Sequence, residues 1–239
     1  MKTAKTLAST ISAALLLIAA HARATEPLDA LKEANPSLYQ LYNNYPMYHD
    51  GLRDYANKQG FRRPIENLAT IVHEIIHIDS FVHQGFFVDG VYYEPYLRAD
   101  AWPSLTNEQV RPYLRDHERG SIYRLYALNT PRNHLGNIVD EINVYGHVLP
   151  FVCKAEPESA EKQVKNLIGF LHLSEGYLRT LRTMMPGEYI QLVRNKETRG
   201  ILVLVIQRAW KALRACGVPE QAIPAQEAAY FVQASGTAK

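Results

Sequence analysis

The chain has 239 residues, with 26 lysines and arginines against 24 aspartates and glutamates and a net charge of +2. That balance excludes charge-driven association with nucleic acid or an anionic membrane surface, and the length suits one domain with a sizeable core. Two cysteines are too few for a disulfide-rich scaffold and leave a single pair to place.

Residues 1–24 read as a cleavable export signal and are set apart from the fold. Lys2 and Lys5 give a positive start, an apolar run follows from Ile11 to Ala20, and Ala22-Arg23-Ala24 offers small residues on both sides of a cleavage point. The apolar run is too short to span a bilayer. Removing this segment takes away three basic residues and no acidic ones, so residues 25–239 carry 23 bases against 24 acids. The expected product is an exported single domain over 25–239 with no stable membrane insertion, its helical part at about 156–218 packing on the rest. In an oxidising compartment Cys153 and Cys216 are expected to form one disulfide.

Asn35-Pro36 has the form of a helix cap and first turn, with Leu38, Leu41 and Tyr42 following at helical spacing. Tyr39, Tyr42, Tyr45 and Tyr48 then crowd the region of Pro46 and are expected to pack beneath a loop. Pro64 stands at a second helix start, and Ile65, Leu68, Val72 and Ile75 mark a core-facing stripe. Inside that stripe lies His73-Glu74-Ile75-Ile76-His77. Residues four apart on a helix differ by about 40° around its axis, so the two imidazoles can converge on one zinc ion. Glu74 is turned about 100° from His73, too far to be a natural ligand but within reach of an attacking water.

Beyond this helix, Asp89-Gly90 between Phe86-Phe87-Val88 and Val91-Tyr92-Tyr93 is a tight-hairpin signature. Such a hairpin either covers the site or offers an edge to an extended peptide. Helical patterns dominate thereafter: near Thr106-Asn107, over Ser121–Leu128, after Thr130-Pro131, from about Glu158 to Met184, and over Gly200–Ala215. After Pro219 the chain is rich in alanine and glutamine and is expected to be loose at its tip. The fold class is mainly α with a small β component.

A catalytic zinc ion usually has three protein ligands, and two residues compete for the third place. His83 gives the His-Glu-x-x-His-x5-His spacing of metzincin peptidases, with Met184-Met185-Pro186 as a candidate for their methionine turn. It needs a helix break after His77, and Ser80 stands where that family has glycine. Glu141 is the preferred ligand. Leu135, Ile138, Ile142, Tyr145 and Leu149 form a core stripe, and Glu141 lies at its edge, where a carboxylate needs a partner. The same wheel puts Asp140 and His147 on an opposite, solvent-side face, which removes both as ligands.

With His73-Glu74-Ile75-Ile76-His77 on one helix and Glu141 on a later one, the chain resembles the gluzincin class of zinc metallopeptidases over about Pro64–Leu149. Tyr145 stands where thermolysin-like members carry an aspartate four residues after that glutamate. The resemblance implies a zincin-like fold and an exported zinc-dependent peptidase acting on peptide or protein substrates. His73, His77 and Glu141 would hold Zn2+, Glu74 would be the general base, and Tyr145 the nearest donor to the developing oxyanion. Two alternatives stay open: a non-catalytic metal-binding or partner-docking protein, and a metal-dependent amidase for a non-protein substrate.

Overall fold

The computed structural model describes residues 26–98, 100–127, 129, 132–224 and 226–237. The expected leader, 1–24, lies outside them, as do Leu128, Thr130 and Pro131. Four helices come first: α1 (Pro27–Ala34), α2 (Pro36–Asn44), α3 (His49–Lys58) and α4 (Pro64–His83). The cap foreseen at Asn35 is present, its Oδ1 accepting the Leu38 N–H at 3.1 Å.

Next come two small antiparallel pairs. Strand β1 (Phe86–Val88) pairs with β2 (Val91–Tyr93), Phe86 opposite Tyr93. Asp89 and Gly90 both take positive φ, 52° and 86°, the backbone that a two-residue hairpin turn requires. Strand β3 (Ser104–Thr106) leads into the single turn α5 (Asn107–Val110) and pairs with β4 (Arg132–His134). The expected helix over Ser121–Leu128 is present over 121–127 and widens to π-type over Tyr123–Ala127. Ile122 sits so close on Gly169 that a Cβ there would lie 2.6 Å from its Cγ1, so glycine lets this turn seat against the helix behind it.

The remaining helices are α6 (Leu135–Ala155), α7 (Ala160–Met184), α8 (Pro186–Arg194), α9 (Lys196–Ala215) and α10 (Gln226–Thr237). Helix α6 is the axis of the molecule. One side meets α7 and α9 through Ile138, Ile142 and Leu149, and the other meets α4 and the N-terminal helices through Val144, Val148 and Phe151. A helix covered on both sides has no solvent face, which corrects the single-stripe reading. Asp140 and His147 are both buried, at 4 % and 1 % exposure.

His147 is tied in by its backbone partners. Its Nδ1 donates to Asn143 O at 2.7 Å, and its Nε2 accepts the Asp89 N–H at 3.3 Å, fixing the hairpin turn to α6. Burial, followed by the Arg208 charge, holds this imidazole well below the ordinary histidine range.

The segment after Pro219 includes α10, with Phe231 and Glu227 buried, and the tip at 238–239 lies outside the described residues. The buried Glu175 carboxylate of α7 accepts the Glu227 and Ala228 N–H groups at 2.6 and 3.0 Å, capping the helix start. Arg179 and Arg182 pair with Glu227 at 3.3 and 3.0 Å. Met184-Met185-Pro186 is the junction between α7 and α8, with Pro186 in the first turn and Met185 packed on the core. Cys153 and Cys216 form the expected disulfide, joining α6 to the end of α9 with Cα atoms 5.6 Å apart. Among the described residues no helix is long and apolar enough to cross a membrane.

Candidate metal centre

Helix α4 runs unbroken through Ser80 and ends at Gln84, which adopts the left-handed φ of 52°. The Ser80 hydroxyl is engaged by the Phe87 N–H at 3.2 Å. His83 is therefore carried away from His73 and His77. Its Nδ1 lies 3.0 Å from Asp79 O, and its ring stacks on Tyr92 with centroids 4.1 Å apart.

His73 and His77 point their Nε2 atoms at each other, 3.2 Å apart. Glu141, from α6, places Oε2 3.6 Å from the first and 3.9 Å from the second. These distances exceed a normal hydrogen bond. Atoms bound at 2.0–2.1 Å to a tetrahedral ion stand about 3.4 Å apart, and the circle through these three has a radius of about 2.1 Å. An imidazole pair with one carboxylate is also a donor set that zinc accepts. The residues fit the ion.

A second layer of groups orients the first. His77 Nδ1 donates to Asp140 Oδ2 at 2.7 Å, which turns its Nε2 towards the centre. The Tyr96 hydroxyl donates to the same oxygen at 2.8 Å. Asp140, set aside as a ligand by its expected exposure, is thus the carboxylate that steers His77, from the position just before Glu141. Tyr145, four residues after Glu141, lays its ring edge-on to His73 at 4.8 Å, and its oxygen accepts from Asn166 Nδ2 at 3.0 Å. Tyr126, at the π-type turn, lines the same cleft as Glu141.

His73, Glu74, Glu141, Tyr126 and Tyr145 all line one cleft of about 670 Å³, walled further by Tyr55, Phe61, Lys162 and Phe170. Electrostatics follow from burying three carboxylates beside two imidazoles. Burial lifts Glu74 above the usual carboxylate range, and it lifts Glu141 to about 7 against the opposing pull of His77. Burial opposes a charge on His77, yet Asp140, with Glu141 and Glu74 behind it, raises that imidazole to about 9. Burial and the His77 charge hold His73 well below its ordinary value. The centre thus concentrates negative charge in a desolvated space, an arrangement that a divalent cation relieves.

The sequence reading placed His73, His77, Glu74, Glu141 and Tyr145 as site residues, and they meet at this cleft. It missed Tyr96, Tyr126 and Asn166, which arrive from a loop, a π-type turn and α7 with no spacing to mark them. Comparison with family models, with curated proteins and with solved structures gives no match to this chain, so the site itself carries the functional argument.

Proposed function

We propose that the protein is an exported zinc-dependent peptidase of gluzincin type. The observation that carries the reading is the triangle of His73 Nε2, His77 Nε2 and Glu141 Oε2, sized for a zinc ion and sharing a cleft with Glu74. Zinc in such a site lowers the pKa of a bound water towards about 7 and polarises a carbonyl. His73, His77 and Glu141 would hold the ion, and Asp140 would keep His77 in the ligating tautomer. Glu74 accepts a proton from the attacking water and delivers it to the leaving amine. Burial raises the Glu74 carboxyl above the usual carboxylate range, which favours its taking up that proton. The Tyr145 oxygen already accepts from Asn166, which leaves its own hydrogen free to donate to a developing oxyanion. Export is supported by the signal-like segment over 1–24 and by the Cys153–Cys216 disulfide, a bond that persists in oxidising compartments.

The test uses an unfolded protein substrate and mass spectrometry of the products. New amino termini should form with zinc-loaded protein, cease after chelation and return on adding zinc. Intact substrate under all conditions, with zinc bound, would shift the assignment to a non-protein amide or a non-catalytic metal protein.

A further inference from the structure

A second cluster of metal-ligating side chains lies outside the cleft and does not rest on the peptidase reading. His117 and Glu118 sit on a helical turn over Asp116–Glu118, and His172 on α7. One donor atom from each of the three lies within 4.8 Å of the others. The two imidazole rings meet edge to face with centroids 5.1 Å apart. Glu118 is buried, and His172 Nδ1 is shut off from solvent without a hydrogen-bond partner. An orphaned buried ring nitrogen costs free energy that a bound cation would recover.

We infer that His117, His172 and Glu118 form a second divalent-metal site, with a structural role. Two imidazoles select a borderline cation such as Zn2+ or Ni2+ over Ca2+ or Mg2+. Atoms bound to one such ion cannot be more than about 4.2 Å apart. The site therefore closes by a small movement of His117, whose exposed side chain is free to make it.

Glu118 already accepts from Arg179 Nη1 and Nη2, both at 3.0 Å, and from the Arg115 N–H at 2.7 Å. A carboxylate offers about four lone-pair positions, so one remains on Oε1. The Arg179 charge opposes a cation, and the Glu118 carboxylate that it pairs with offsets part of that repulsion.

The location gives the site its consequence. The segment from Arg111 to Glu118 is built of short turns, and it leads directly into the π-type turn that carries Tyr126 to the cleft. A metal bridging His117 to His172 would staple that segment to α7 and stiffen one wall of the cleft.

Zinc chloride titrated into metal-free, untagged protein, followed by calorimetry, decides the matter. The wild-type chain should take up two zinc ions and Glu141→Ala one. The ion left in Glu141→Ala should disappear when either His117→Ala or His172→Ala is added. His117→Ala removes only an exposed side chain, so the fold, checked by circular dichroism, should persist. One zinc in wild type that survives in Glu141→Ala and is lost with His117 would keep this site and remove the cleft site instead. A wild-type chain that holds at most the zinc lost with Glu141 would overturn the proposal. So would a second equivalent that persists when both His117 and His172 are alanine.

Discussion

Glu74→Gln is expected to lower turnover by about 10²- to 10⁴-fold while leaving the zinc of the cleft in place. The change keeps the shape of the side chain and removes only its capacity to take a proton. Glu74 contributes no atom to the His73–His77–Glu141 triangle, so metal affinity has no reason to fall. The barrier increase corresponds to about 3–5 kcal/mol. A variant that binds zinc and cleaves as fast as wild type would remove Glu74 from the chemistry. A variant that loses zinc would show that the carboxylate supports the metal and is not simply a base.

The Cys153–Cys216 disulfide is expected to stabilise the fold strongly. Cys153 and Cys216 are 63 residues apart, and closing a loop of that size restricts the unfolded chain by about 4 kcal/mol. Changing both cysteines to serine should therefore lower the melting temperature by on the order of 10 °C. The bond also ties α9 to α6, the helix that supplies Asp140, Glu141 and Tyr145, so cleft activity should decline at temperatures well below those tolerated by wild type. Thiol titration checks the premise: unfolded, unreduced protein should show none. An unchanged melting temperature in the serine variant would contradict the stabilising role.

Much of this arrangement is legible in the amino-acid order because it is local. His73 and His77 share a helix face by spacing alone, and Asp89-Gly90 specifies its turn without help from the rest of the chain. Glu141 is also legible, since a carboxylate beside a core stripe demands a partner. The errors arise where tertiary packing decides. A one-sided wheel puts Asp140 and His147 in water, whereas α4 and the N-terminal helices cover the face that α7 and α9 leave open. The end of the chain has a weak helical pattern by itself. It is ordered by Glu175 and Arg179, which lie some fifty residues upstream. Tyr126 has no local signal, because its position depends on Ile122 seating against Gly169.

On the reading proposed above, Glu141 and not His83 completes a zinc centre with His73 and His77. Zinc content per chain, measured in a background where His117 and His172 are alanine, tests it most directly. About one zinc is expected for that parent and for its His83→Ala variant, and close to none for its Glu141→Ala variant. Zinc retained by Glu141→Ala and lost by His83→Ala would contradict it.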